Sequence, residues 1–382
     1  MHKIIDILII GPLADMDLVY ANAILKETEN LNLLIVRKEK YEIRNKKELK
    51  YLYPFIQEDK HILYTNSSFK FFKLAMKSDV ILSFTGSAMG LFKWFFLYKI
   101  LFGKPKIINR MTGADFRELY WQKNIQSFAY RLFMKYCDTH NIGYMESHVE
   151  GSIKAKLKDV FFLNVPFAIT DISKLQAETF KHSNIFRFQK EKNNIIFFVP
   201  SYFNKDKNNV LFIEAFIEVL KTRKDIFCVF INDGSKLSLE IQKQIKVNKL
   251  ENFFYIINGR LPKYELHYYM SLSDVIVDQF VMGSMGGIAI EALKLRKPIM
   301  IYINPIYWKL IYSLEPPVIN IQRKKDIKDF LMKVSNVEIE HISKKIEYWL
   351  QVEQSDKMLI ARLLYHCSRI TGINYLKYLR GK

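Results

Sequence analysis

The sequence predicts an α/β chain of two doubly wound, Rossmann-like domains, each a parallel sheet wrapped by helices. Three observations carry this. Short apolar, often β-branched runs alternate with helical patterns along the chain, the arrangement that gives parallel sheets with helices on both faces. The alternation lapses once, at a polar stretch near the middle, and then restarts. And 382 residues exceed what one ordinary core holds.

In the first half the predicted strands are 4–10, 33–36, 61–64, 80–84, 106–109 and 160–163, with helical patterns including 19–27, 69–76 and 116–136. The first apolar run, MHKIIDILII, contains Asp6 and lacks a signal-type cleavage site, so it reads as a strand. The polar stretch 171–194 reads as the linker. Strands then follow at 195–199, 227–231 and 253–257, with helices at 209–220, 237–247 and 263–272. A strand at 318–321 and a helix from Lys325 come later, and everything beyond Glu338 reads as helical. The expected domains are 1–175, 190–355 and a C-terminal helical segment, 356–382, packing back on the first domain.

The most informative stretch runs from Ser273 to Tyr302, SDVIVDQFVMGSMGGIAIEALKLRKPIMIY. It reads as a buried strand, a glycine-rich loop, a helix opening on Gly286-Gly287 and a second buried strand. A helix that begins on small residues just after a strand offers free backbone N–H groups and a positive dipole end to a phosphate. Gly283, Ser284, Met285, Gly286 and Gly287 are therefore candidate phosphate or sugar contacts. Glu291, about one turn inside, is within reach of a sugar hydroxyl. The bland alternatives are tight strand-to-helix packing for the glycines and a solvated surface position for the glutamate.

Composition narrows the partners. The chain carries a formal net charge of +19, with 29 Phe and 22 Tyr. Such a balance points to anionic partners without choosing among them. No stacking or helix-turn-helix signature supports nucleic acid. Three distant cysteines, Cys137, Cys228 and Cys367, make neither a disulfide framework nor a metal spacing, and suit a reducing cytoplasm. Asp15-Met16-Asp17 spells a metal-binding triplet, but no second cluster supports it, and chance or helix capping explains it better. No metal is expected. From Leu91 to Phe102, LFKWFFLYKILF, ten of twelve residues are apolar. They are too few to span a bilayer and read either as an interfacial patch with lysines at the headgroups or as a buried helix. The region from Arg37 to Lys50, seven basic residues against three Glu, adds to the first reading or is a solvated face.

Four blocks of the second half then fall in a telling order. They are Pro200-Ser201 with Lys207 and, eight residues on, Ala215; Asn232-Asp233-Gly234; Gly259 followed by Leu266, Tyr269 and Ser273-Asp274; and Gly283 to Glu291 followed by Lys297-Pro298. In this the chain resembles the donor-binding domain of GT-B glycosyltransferases, specifically glycosyltransferase family 4. The first half is more loosely similar to the family's acceptor domain, through the Gly11 turn and Thr112-Gly113-Ala114-Asp115-Phe116-Arg117. Three positions depart from the family. Gly283 stands where the first of two glutamates eight residues apart is usual. No Arg precedes Lys207, leaving Lys205 as the nearby substitute. Thr112 stands where a His is common.

The resemblance implies a GT-B enzyme that moves a sugar, with retention, from a nucleotide diphosphate sugar to a hydroxyl of a lipid-linked glycan in bacterial surface polysaccharide or glycan synthesis. It implies no cofactor and a place at the inner face of the cytoplasmic membrane. Donor contacts would be Ser201, Lys205, Lys207, Gly259, Arg260, Asp278, Gly283 to Gly287 and Glu291. Lys207 would neutralise the diphosphate, unless it is one more surface lysine. Asp115 and Glu291 would be catalytic, although Asp115 followed by Glu118 also fits a helix capping box. Acceptor contacts would be Gly11, Gly86, Arg110, Thr112, Gly113 and Arg117, with Arg110 and Arg117 either on an acceptor phosphate or paired to Asp115 and Glu118. A sugar-nucleotide 2-epimerase of the same architecture and a non-catalytic nucleotide-sugar or lipid-surface binding module remain the alternatives.

Overall fold

The computed structural model describes residues 5–11, 15–39, 46–84, 103, 105–111, 120–142, 146–175 and 180–381, of which 46–48, 126 and 146–148 by backbone only. Gly86, Leu91 to Phe102, Thr112, Gly113, Asp115 and Arg117 lie outside the described residues. The chain divides into two units: Met1–Ala168 with Gln354–Lys382, and Ile169–Glu353.

In the first unit, β1 (Ile5–Ile10), β2 (Leu33–Arg37), β3 (Ile62–Tyr64), β4 (Ser78–Phe84), β5 (Lys106–Arg110), β6 (Thr139–Ile142) and β7 (Val160–Phe162) form one parallel sheet in the order β3-β2-β1-β4-β5-β6-β7. Strand alternation sorts the apolar side chains onto two faces. Ile7, Ile9, Val80 and Leu82 meet the Met16–Glu27 helix and the C-terminal Asp356–Thr371 helix. Leu8, Ile10, Ile81 and Ile107 meet the Ser68–Met76 and Ile125–Tyr136 helices. The chain end is tied in by the Tyr375 hydroxyl, which donates to the Asp6 carbonyl at 3.2 Å.

Three expectations are corrected here. The strand Thr139–Ile142 was not predicted, because Thr139, His140 and Asn141 are polar, yet all are buried. Within the helix expected over 116–136, residues 120–124 are not helical, 116–119 lie outside the described residues, and a helix starts at Ile125, where the Asn124 side chain accepts from the Ser127 N–H at 2.8 Å; an Asn in that role fixes the start. The stretch taken as a linker holds a helix, Ser183–Glu191, anchored by buried Phe186.

The second unit has β8 (Ile195–Val199), β9 (Ile226–Asn232), β10 (Phe254–Asn258), β11 (Val275–Val277), β12 (Ile299–Ile301) and β13 (Ile319–Asn320) in the parallel order β10-β9-β8-β11-β12-β13. The chain reverses its direction of travel across the sheet between β8 and β11. In open parallel sheets, ligands settle outside the carboxyl ends of the strands at that point.

Candidate functional site

The loops after β8 and β11 meet there. The Ser201 hydroxyl donates to Asp278 Oδ1 at 2.7 Å. The Lys207 ammonium donates to the same oxygen at 2.7 Å and to Ser201 Oγ at 2.8 Å. Asp278 is buried, while the Lys207 side chain keeps 25% of its surface. The Phe280 N–H donates to the Lys207 carbonyl at 2.8 Å, tying the two loops. Asp278 thus aims a cation that retains a third N–H and access to solvent. Gly286 sits next to this cluster: a Cβ placed on it would lie 3.9 Å from Asp278 Oδ2.

Gln279 shapes the loop between them, a role the sequence reading missed. Its amide nitrogen donates to the carbonyls of Ser284 and Tyr302, at 3.0 and 2.7 Å. Its oxygen accepts from the N–H groups of Val281 and Met282, at 2.9 and 2.6 Å. Three of its four hydrogen bonds hold residues 281–284, and the fourth ties that loop to Tyr302 at the end of β12. Gly283 has φ +65, and a Cβ there would stand 3.2 Å from Asn304 Cβ. A glutamate in place of Gly283 would hold a strained left-handed backbone and push Asn304 aside by a few tenths of an ångström. The chain then enters the Gly287–Lys294 helix with Gly286 as N-cap. No side chain caps it, and Gly286 is exposed. Its first N–H groups therefore lack a side-chain cap at an exposed residue near the Asp278 cluster, and an uncapped helix start can receive an anion.

One turn in, Glu291 is 1% exposed. Lys263 Nζ donates to its Oε1 at 2.6 Å, and His267 Nε2 stands 3.5 Å from Oε2. The Thr170 N–H donates to His267 Nδ1 at 3.3 Å. Nδ1 is thus an acceptor, and the ring proton belongs on Nε2, facing the carboxylate. Burial pushes the Glu291 carboxyl up, but the His267 imidazole and the Lys263 ammonium outweigh it and hold it below its ordinary value. Glu291 is therefore an ionised, buried carboxylate paired to the Lys263 ammonium. Lys263, His267 and Thr170 escaped the sequence reading. The available signal was Lys263 and His267 four apart on one helix face.

The neighbouring loops complete the rim. The Gly259 N–H donates to the Asn232 carbonyl at 2.9 Å, and Gly259 has φ +89. The Arg260 guanidinium lies 5.8 Å from the Tyr202 ring, bringing the loops after β10 and β8 together. Lys205 is exposed; Ser284 and Met285 are buried.

At the matching edge of the first unit, Gly11 follows β1. A Cβ on Gly11 would fall 1.9 Å from Asp17 Oδ2, so the carboxylate occupies the space a side chain would need. Asp17 is fully buried and is gripped by Arg37, Nε to Oδ2 at 2.6 Å and Nη2 to Oδ1 at 3.0 Å; Arg37 also reaches Asp15 at 2.7 Å. The carboxylates of Asp15 and Asp17 therefore pair with Arg37, and Asp15 makes no side-chain cap to its helix. Arg37, the first residue of the basic run read either as membrane-facing or as a solvated face, is buried at 3% exposure. Arg110 is also buried, its Nη1 donating to Asn141 Oδ1 at 2.7 Å and to the Leu163 carbonyl at 2.8 Å. Among the described residues no group of three or more His, Cys, Asp or Glu is placed to hold a metal, and no helix is long and apolar enough to cross a membrane.

No protein-family model matches the sequence, and no curated protein matches it. Solved structures do match the fold. HepE of Anabaena, in complex with UDP and glucose, aligns with TM-score 0.63 at 10% identity over 96% of this chain and 100% of its own. A glycosyltransferase of Rickettsia africae aligns with TM-score 0.62 at 15% identity over 97% and 99%. A Listeria monocytogenes chain described as a UDP-N-acetylglucosamine 2-epimerase aligns with TM-score 0.55 at 12% identity over 97% and 98%. Two doubly wound parallel-sheet units, matched along nearly their whole length to these structures, give this chain the GT-B fold.

Proposed function

We propose that the chain is a glycosyltransferase that takes a sugar from a nucleotide diphosphate sugar. One observation carries the reading: Ser201, Lys207 and Asp278 converge at the switch point of the second sheet, beside the exposed, uncapped helix start at Gly286, with an ionised Glu291 one turn inside. The solved HepE complex with UDP and glucose supports a donor of that class. The diphosphate would rest on the amides that follow Gly286, with Lys207 neutralising it as the leaving group departs. These groups supply positive charge without a metal. Glu291 would accept the ribose hydroxyls once Lys263 turns outward, since the carboxylate is sealed in the present arrangement. Lys205 and Arg260 would line the rim. On the acceptor side, Asp115 would orient or deprotonate the attacking hydroxyl, with Gly11, Gly86, Arg110, Thr112, Gly113 and Arg117 around it. Buried Arg110 would act by shaping that site through Asn141. The acceptor would be a lipid-linked glycan, handled at the inner face of the cytoplasmic membrane with retention of configuration.

A panel of UDP, GDP, ADP and CMP sugars in a thermal-shift assay tests the donor. One donor class at a hundredfold its Kd should stabilise the chain by about 2.7 kcal/mol, and activity with acceptor should survive EDTA. A flat panel would remove the reading. A sugar-nucleotide 2-epimerase is the second reading, favoured by the Listeria likeness. Conversion of a nucleotide sugar without any acceptor would select it.

A further inference from the structure

The Ile125–Tyr136 helix is apolar on both sides. Its inner side, Tyr130, Phe133 and Met134, is buried against the first sheet. A surface helix then shows a polar outer side. This one instead exposes Ile125 at 88%, Phe128 at 62% and Leu132 at 37%, with Trp121 just ahead of it at 50%. Steps of three and four residues set Ile125, Phe128 and Leu132 in one stripe along the helix. Arg131 Nη1 donates to the carbonyls of Tyr120 and Gln122, at 2.8 and 3.0 Å, which fastens the turn bearing Trp121 to the helix. Every charge from Trp121 to Tyr136 is positive: Lys123, Arg131 and Lys135.

The Ser68–Met76 helix repeats the pattern. It buries Phe71 and Ala75 in the same apolar cluster, and hence lies on the same face of the sheet. Its outer side shows Phe69 at 65% and Met76 at 36%. Lys73 Nζ lies 4.5 Å from the Phe69 ring. Exposed Lys70 and Lys77 flank them, and no acidic residue occurs from Ser67 to Lys77.

We propose that this face of the first unit docks on an anionic lipid surface. Trp121, Ile125, Phe128 and Phe69 enter the boundary between headgroups and acyl chains, and the lysines and Arg131 meet the lipid phosphates. Charge selects this occupant over a second copy of the chain, which would set like charges against one another across the contact. The proposal uses neither the donor site nor residues 91–102, so it stands or falls separately from the glycosyltransferase reading.

The test is cosedimentation of the full chain with phosphatidylcholine vesicles, with and without phosphatidylglycerol. The chain should pellet with the anionic vesicles, release as salt is raised, and show a blue shift in tryptophan emission that Trp121→Phe diminishes. Ile125→Asp with Phe128→Asp should keep the wild-type melting temperature, because both side chains are exposed, and weaken vesicle binding more than about tenfold. Lys123→Glu with Lys135→Glu is the second variant, and each lost cation should weaken binding by about fivefold. No binding to anionic vesicles overturns the proposal, as does equal binding by wild type and both variants. A wild-type dimer that the double Asp variant dissociates, without vesicle binding, would assign the face to a second copy instead.

Discussion

Lys263→Met and Glu291→Gln remove opposite ends of one ion pair, and the structure predicts unequal losses. Glu291 is 1% exposed, whereas the Lys263 side chain is 37% exposed. Lys263→Met strands a buried carboxylate with only the imidazole of His267 at 3.5 Å. Breaking a buried pair that way costs about 3–5 kcal/mol, and the imidazole places this case near the lower end, about 3 kcal/mol. Glu291→Gln leaves a partly exposed ammonium that water can still solvate, so the loss is that of a hydrogen bond, about 1 kcal/mol. Urea unfolding at neutral pH without ligand measures both. The folded Glu291 value lies below the unfolded one. Its contribution is therefore full above the unfolded carboxylate range, near about 4.3, and fades as pH falls through the folded value. The gap between wild type and Glu291→Gln should close on acidification. Donor binding should reverse the ranking: Glu291→Gln loses about 2 kcal/mol, or thirtyfold, of nucleotide affinity. Destabilisation by Glu291→Gln equal to or larger than that by Lys263→Met would refute the argument from burial.

Gly11→Ala should destabilise the chain by about 3 kcal/mol in denaturant melts, because its Cβ would displace Asp17 from Arg37. Gly234→Ala, at φ +77 with open space around it, should lose only about 1 kcal/mol. Burial holds His140 down to about 4, outweighing the attraction of Asp159. The unfolded chain then binds the extra proton first, so stability falls as pH drops from about 6.5 towards that value. Between pH 7 and 5 this amounts to about 2 kcal/mol, a slope that His140→Leu should flatten in urea titrations.

The sheets were legible where a strand is an unbroken apolar run, as at Ile195–Val199 or Val275–Val277. Thr139–Ile142 was not, because its buried side chains serve other polar groups: Asn141 accepts from Arg110. Pattern reasoning assigns such residues to loops. Ser201 and Lys207 after one apolar strand, and Asp278 and the glycine loop after another, could be singled out because each directly follows an unbroken apolar run, and the structure brings the two loops together. What Lys207 and Glu291 touch was not legible, since Asp278 lies 71 residues from Lys207 and Lys263 lies 28 from Glu291. Such pairings follow from strand order, which periodicity does not encode. Arg37 shows the same limit. Within a basic run it reads as membrane-facing or solvated, but at the carboxyl end of β2 it turns inward to Asp17.

The claim that the second unit grips a diphosphate at Gly286 and Lys207 is tested most directly by calorimetric titration. Wild type and Lys207→Met are each titrated with the nucleoside diphosphates and their parent nucleosides. One diphosphate should bind wild type more than about tenfold tighter than its nucleoside, as a charge-assisted contact requires, and Lys207→Met should narrow that gap while leaving nucleoside affinity unchanged. Equal affinity of nucleoside and diphosphate for wild type, or a gap that Lys207→Met leaves intact, would contradict it.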